Sequence, residues 1–503
     1  MCKLYYYLMA ETLKVVNCTA HIGNIMTSIT GDVPVEFWED LSFKMSYEVP
    51  GAFYSEAAQN GHWDGRKKLF NKRWLAFPTG LFSIFRETAV AHGISYDIND
   101  TRKKPTLGSP LTLTGITLRD YQLDAATSAL TKQRGMIRVA TGGGKTEIIA
   151  ELIARTNIKT IIFIHKQDIF HQLHERLSKR LSIPIGRIGC GIIDPQQVTV
   201  AMIQTVHRAF GGTMQGFKDI ENDKTVLSKP EIVQTLVENA ECVIIDECHH
   251  IAATIFGKVL TQCEKAYYRW GFSASPFRED NADLLLDAHT GSKCVDISAS
   301  ELIKRGYLSK PAIFLYEFDH GRPNAFGYPH MYEQQVVNNT FRNKAVVMAA
   351  VRAMASKKTV MIAVTRIDHG KMLETMLKQV APGKIKFASG QIDSAERKQI
   401  LQDLTDRKLD VVIATTVFGE GIDCPTLDVL INAKANKSSI DSLQLIGRAL
   451  RKTSTKSRVV IIDIYDDHCK YLGTHSKDRL KIYKTEPEFA IKKIKNPAEI
   501  VFP

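Results

Sequence analysis

The sequence predicts an α/β protein: two tandem parallel-sheet lobes preceded by a small α+β N-terminal domain. Short, nearly continuous apolar runs alternate with helical segments from about residue 112 to 297, and a second such series starts near 300. Strands covered by helices on both faces of a parallel sheet require that composition. A length of 503 residues is long for one core and suits two or three domains. The expected divisions are 1–110, 111–298, 299–470 and a basic tail at 471–503.

In the first division, Phe37–Leu41 begins a short amphipathic helix and Asn60–Gly65 is a turn cluster between candidate strands. Leu81–His92 reads as a helix with Gly93 placed as its C-terminal cap. The first twenty or so residues fit no element well, and Met26 is an alternative start. Residues 101–110 are polar and punctuated by proline and glycine, as in a linker. The clearest strands of the first lobe are Met136–Val139, Thr160–Ile164, Val198–Ile203 and Cys242–Ile245. Those of the second are Thr359–Val364, Val411–Ala414, Val429–Ile431 and Val459–Ile462. The lysine-rich end, with Lys492, Lys493 and Lys495, reads as a solvated tail or edge.

Apolar residues make up 44% and charged residues 24%, the balance of an ordinary globular protein. The net charge of +12 favours a polyanionic partner, with nucleic acid first because neutralising phosphates releases counterions. Nine cysteines occur with no Cys-x-x-Cys pair, which suits free thiols in a reducing cytoplasm. The short apolar run at the N-terminus is broken by Glu11 and Lys14, no stretch approaches a membrane span, and a cytoplasmic protein is expected.

The chemistry is concentrated in three motifs. Ala140-Thr141-Gly142-Gly143-Gly144-Lys145-Thr146 follows a strand and opens a helix, the setting of a phosphate-binding loop. Its glycines let backbone N–H groups approach phosphate oxygens, and the helix N-terminus adds partial positive charge. Lys145 would reach the β- and γ-phosphates of ATP and the Thr146 hydroxyl would meet Mg²⁺. The strict pattern wants glycine where Val139 stands. Asp246 and Glu247 end an apolar strand, where side chains of a parallel sheet face its ligand crevice. Asp246 suits Mg²⁺ and Glu247 suits orienting and deprotonating the attacking water. Arg448 and Arg451, at i and i+3, are expected on one helix face with Gln444 a turn earlier. Gly447 leaves room for a backbone or a nucleotide, and the arginines suit charge stabilisation on the γ-phosphate.

In this order the motifs resemble a superfamily-2 helicase of the DExH type over roughly 115–465, which implies RecA-like lobes. By that resemblance Gln122, in Leu118–Gln122, recognises adenine. Lys166, in His165–Gln167, and the pair Gln204 and Thr205 track a nucleic-acid strand. His249 and the segment Gly271–Arg278, with Ser273 and Ser275 where many members have threonines, couple hydrolysis to movement, as does Gln444. Thr415 and Thr416 meet the nucleic-acid backbone, while Gly421 and Asp423 serve the nucleotide. A narrower stretch, Asn60–Arg66 and Leu75–Leu81, is similar to the N-terminal domain of phage UvsW-type helicases, which remodel branched DNA and unwind RNA–DNA hybrids. Arg66 and Lys67, in a basic run beside Trp63 and Trp74, suit phosphate contacts there. The implied protein is an ATP- and Mg²⁺-dependent DNA helicase or translocase of 3′-to-5′ polarity, acting in replication, recombination and repair. Its DNA would be branched, forked or a Holliday junction, and the protein a monomer or weak oligomer. A restriction-system motor, an RNA helicase and an ATP-gated clamp are the rivals.

Overall fold

The computed structural model describes residues 17–49, 51–213, 224–248, 255–274, 283–318, 327–381, 383–390, 392–415, 426–436, 439–452, 456 and 458–502. The expectations for His249, Ser275, Thr416, Gly421 and Asp423 lie outside these residues. The chain forms two compact units, one of residues 1–138 and 146–296, the other of Val139–Lys145 and Ile297–Pro503.

The first unit begins with a four-stranded sheet in the order Ala76–Pro78, Met26–Gly31, Asn17–Ile22, Ser95–Asp100. Asn17–Ile22, where no element was expected, is thus an interior strand. Its buried face is Cys18, Ala20 and Ile22, two of them too small to mark a strand by hydrophobicity. Helices Val35–Lys44 and Phe82–Ala91 press Phe37, Leu41 and Phe85 into its core. Phe85 stacks on Phe77 at 5.7 Å and meets Phe37 edge-on at 5.9 Å. This small domain shares its core with the lobe that follows: Ala288, from helix Asp283–Thr290, lies in the same apolar cluster. Gly80 packs so tightly on the carbonyl of Asp287 that a side chain there would collide with backbone. Residues 101–119 form no helix or strand, yet Gly108, Leu111 and Thr114 donate backbone bonds to Thr156, Ala154 and Arg180.

The lobe's sheet has eight strands in the order Ile192–Asp194, Ile185–Gly189, Val198–Met202, Thr160–Ile164, Cys242–Ile245, Tyr268–Ser273, Arg134–Val139, Lys293–Ile297. Pairings from Ile185–Gly189 to Arg134–Val139 are all parallel. Tyr268–Ser273 lies in the middle of this sheet although Arg269 interrupts its apolar run. The Arg269 guanidinium is buried and donates to the carbonyls of Leu260, Cys263 and Ala266, which satisfies it without a carboxylate.

The second unit carries a seven-stranded, all-parallel sheet in the order Ile385–Ala388, Val411–Ala414, Val360–Ala363, Val429–Asn432, Arg458–Ile464, Lys310–Tyr316, Ala490–Ile494. Residues 471–503 are therefore not a tail. Helix Lys470–Tyr483 buries Leu472, Arg479 and Tyr483, and Ala490–Ile494 pairs in register with Ala312–Tyr316 as the sheet's edge. Lysines 492 and 493 on that strand suit an edge, because exposed charge discourages pairing with another chain. Both large sheets are RecA-like. Among the described residues no helix is long and apolar enough to cross a membrane.

Candidate nucleotide site and strand-facing elements

In the first unit, the carboxylates sit one and two residues past strand Cys242–Ile245. Asp246 extends the ladder, its N–H donating to Phe163 O at 3.2 Å, and its Oδ1 accepts from the Glu247 N–H at 3.0 Å. Asp246 is 8% exposed. Glu247 has φ +50, a left-handed conformation costing a non-glycine residue about 1–2 kcal/mol. That strain turns the chain sharply where the sheet ends, so consecutive acids leave the strand in different directions. Behind them Cys248 is fully buried against Gly271, where a Cβ would come within 3.1 Å of its Sγ. Ser273, the last residue of the neighbouring strand, is buried too.

Strand Arg134–Val139 lies two positions from Cys242–Ile245 in the same parallel sheet, and the glycine-rich loop leaves its carboxyl end. The loop, Val139–Lys145, belongs to the second compact unit. Gly142 and Gly144 adopt φ +85 and +79, and Gly143 N–H closes a turn on Ala140 O at 2.9 Å. A Cβ at Gly143 would fall 2.6 Å from Val139 Cγ1 and 2.9 Å from Leu302 Cδ1. Val139, which stands where the strict motif has glycine, is completely buried and packs under the loop. Lys145 and Thr146 are the first residues of helix Lys145–Thr156, and both are half-buried. Alternating left-handed glycines above a helix N-terminus make a cradle of N–H groups that fits a phosphate chain. A threonine hydroxyl on one strand's loop and Asp246 on another are hard oxygen donors, the kind Mg²⁺ takes.

The arginines need one correction. Helix Ser439–Ala449 ends before Arg451, so the two do not share a helix face. Arg448 is in its last turn, whereas Arg451 lies beyond it and bridges antiparallel to Leu308. The chain leaves the helix there because residue 451 is drawn into this pairing. Leaving the helix brings Arg451 to the loop. A Cβ at Gly142 would be 3.5 Å from Arg451 Cγ and 3.7 Å from Gly447 O, and one at Gly447 would be 2.6 Å from Thr141 Cβ. The absent side chain at Gly447 is what lets Thr141 approach. The structure therefore gathers Thr141, Gly142, Gly447 and Arg451 in one place.

A brace behind that helix was missed. Asp463, near the end of strand Arg458–Ile464, accepts from Asn432 Nδ2 at 3.0 Å, Arg479 Nη2 at 2.8 Å and Tyr483 OH at 2.6 Å. Arg479 Nη1 donates to Asn436 O at 3.1 Å, and Asn436 Nδ2 donates to Asp441 in the first turn of Ser439–Ala449. Burial, reinforced by the Asp463 carboxylate, pushes the Tyr483 phenol well above the usual tyrosine range, so it stays a donor. Beside it Arg342 forks onto Asp466 at 2.7 and 3.1 Å, both side chains wholly buried. Two aspartates within and just after an apolar strand were the available signal, since such charges survive burial only when paired.

The expected strand contacts divide. Lys166 is the half-buried N-cap residue of helix Gln167–Arg180. Gln204 and Thr205 are 0% exposed, and Gln204 Nε2 donates to His165 O at 2.7 Å. Here Gln204 braces the Lys166 segment from beneath, and neither residue offers a surface. Thr415 is buried, its N–H bonded to Ala388 O at 3.2 Å. Gln444 is buried as well. Gln122 Oε1 accepts from Arg119 N–H at 2.9 Å in a capping box, and the second lone pair of a carbonyl oxygen keeps this compatible with a base amino group. Arg66 is occupied within the small domain: it bonds Ser46 and Glu48 and lies 4.6 Å over the Phe43 ring. Lys67 is exposed.

Two family models match in tandem, Type III restriction enzyme, res subunit, over residues 115–278 and helicase conserved C-terminal domain over 343–453. The ATP-dependent DNA helicase uvsW of Enterobacteria phage T4 is 22% identical across 89% of this chain and 94% of its own length. The DNA 3′-5′ translocase XPB2 of Sulfurisphaera tokodaii is 25% identical across 71% and 84%. Among solved structures, the Type ISP restriction-modification enzyme LlaBIII bound to DNA has the same fold. The match has a TM-score of 0.54 and 15% identity, over 76% of this chain and 32% of that one.

Proposed function

The chain is a superfamily-2 helicase resembling the phage UvsW type, and we propose that it uses ATP and Mg²⁺ to remodel branched DNA. The observation that carries this reading is the meeting of Gly142 with Arg451 and of Thr141 with Gly447. A guanidinium at a phosphate loop can fork onto phosphate oxygens and favour the more highly charged transition state. In this scheme the loop N–H groups and Lys145 hold the phosphate chain, and Gln122 holds the adenine. Thr146 and Asp246 would hold Mg²⁺, which neutralises phosphate charge when bound. Glu247 orients the water and takes its proton, and Arg451 and Arg448 stabilise charge as the bond breaks.

Alternation between states that grip the strand differently turns hydrolysis into travel. Lys166 is the gripping element of the first lobe. The description of the archaeal relative as a 3′-5′ translocase supports that polarity here. Branch migration makes a base pair for each one broken, whereas plain unwinding must supply about 1.4 kcal/mol per step. The monomer or a weak oligomer acts on forks, Holliday junctions and RNA–DNA hybrids.

The test is ATP-dependent migration of a Holliday junction and displacement of a forked strand, run beside duplex RNA. Activity on the branched DNA is expected, with none in Lys145→Ala although that variant still binds DNA. Arg451→Ala should cut turnover roughly 100-fold while KM for ATP changes far less, because the lost contact acts on the transition state. Activity confined to RNA would replace the DNA reading with that of an RNA helicase.

A further inference from the structure

The small N-terminal domain exposes two neighbouring aromatic rings. Phe53 and Tyr54 are 80% and 82% exposed, with ring centroids 5.8 Å apart, edge to face. Their exposure does not come from a loose backbone. They sit in the helical turn Ala52–Tyr54, where Ala52 N–H bonds Val49 O at 2.9 Å and Tyr54 N–H bonds Gly51 O at 3.0 Å. Val49 N–H in turn bonds Gly65 O at 2.9 Å, which ties the turn to the hairpin of Ser46–Glu48 and Arg66–Lys68. A Cβ at Gly65 would touch Ala52 Cβ at 3.3 Å, so turn and hairpin are packed together. The rings stand on a fixed base.

The surrounding charge selects the partner. Residues 43–75 contain six lysines and arginines against three acids, a net charge of +3. Two of those acids are already taken, Glu48 by Arg66 at 3.2 Å and Asp64 by Lys68 at 3.1 Å. Lys67, Lys72 and Arg73 are exposed, and Arg73 lies 5.3 Å over the ring of Trp74, itself 66% exposed. An apolar protein segment would find no reason for this positive rim. Unpaired bases would, since aromatic faces stack on any base while cations follow the phosphates.

We infer that Phe53 and Tyr54, with Lys67 on the adjoining hairpin, form a stacking platform for unpaired bases where duplex arms separate. The inference rests on the DNA-remodelling reading above and gives it a place of contact. Fully paired DNA hides its base faces, so the platform discriminates forks from duplex without reading sequence.

The experiment uses the full chain, a forked DNA with 2-aminopurine in its single-stranded arm, and a paired duplex of equal length. Phe53→Ala/Tyr54→Ala is expected to weaken fork binding roughly 5- to 100-fold, leave duplex binding within about 2-fold, and abolish the stacking-dependent quench of 2-aminopurine. Phe53→Leu/Tyr54→Leu should behave like the alanine pair, and Lys67→Ala should lower the salt slope by about one. Both rings are exposed, so the melting temperature should not move. Unchanged fork binding overturns the platform. So does full rescue by leucine, which would mark an apolar docking site for a protein, or an equal loss on duplex. DNA-stimulated ATP hydrolysis is measured alongside: its absence in the unsubstituted chain defeats the motor reading, whereas its presence with unaltered fork binding in the variants defeats only the platform.

Discussion

The carboxyl edges of the two large sheets hold their acids in opposite ways. Past strand Cys242–Ile245, the backbone itself is bent to aim the carboxylates: Glu247 is at φ +50 and Asp246 accepts from the next peptide N–H. Along strand Arg458–Ile464 and just beyond it, donors are brought in to lock them: the Arg479 cation and the neutral Tyr483 hydroxyl close on Asp463, and the Arg342 cation on Asp466. One edge holds its second acid in a strained, left-handed conformation. The other neutralises its acids to hold the segment that carries Gln444, Arg448 and Arg451. The motor proposed above would need both, because a guanidinium can stabilise a transition state only if its own position is already fixed.

Substitutions can break this contrast. Glu247→Gln keeps shape and removes the base, so turnover should fall roughly 1,000-fold or more, with the urea midpoint unchanged. A large loss of stability instead would make Glu247 another structural acid. Arg342→Ala should do the reverse. Stranding the buried Asp466 costs about 3–5 kcal/mol, read as a lower urea midpoint. Tyr483→Phe removes one of three side-chain donors to Asp463 and should cost about 1–2 kcal/mol. If the brace works as described, turnover drops several-fold at unchanged KM for ATP even well below the melting temperature.

The last prediction concerns pH, and here the two units agree. Each holds a histidine near an arginine, His369 fully buried and His289 partly so. Burial, then Arg269 and Arg134, bring His289 down to about 4, and burial, then Arg342, bring His369 down to about 3. Both folded values lie below the unfolded value of about 6.5, so the unfolded chain binds more protons between them. The stability each neutral histidine contributes is complete above about pH 6.5 and is lost as pH falls toward the folded value, by about 1.4 kcal/mol per unit at most. Urea midpoints from pH 7.5 to 5 should therefore fall, and His369→Gln should flatten the slope. A slope identical in the variant would assign the acid sensitivity elsewhere.

Much of this was legible. The interior strands of both sheets are apolar on both faces and declared themselves, and the glycine-rich loop was recognisable despite Val139, because strand, glycines, lysine and helix come in sequence. Tyr268–Ser273 was hidden by Arg269, whose carbonyl partners only the fold supplies. Asn17–Ile22 was hidden by its small buried residues, and the lysines of Ala490–Ile494 obscured an edge strand. Gln204 and Thr205 were expected to face a strand, but burial puts them beneath that surface.

What the amino-acid order determined is whatever depends on neighbours along the chain: alternation of strand and helix, left-handed glycines before a lysine, two acids at a strand end. Tertiary structure alone decided which distant groups meet. Arg451 reaches Gly142 only after leaving its helix, and Arg479 becomes a brace only where a C-terminal helix packs on strand Arg458–Ile464. A local pattern fixes the conformation of a few residues, whereas pairing a buried charge requires a partner that chain order does not specify.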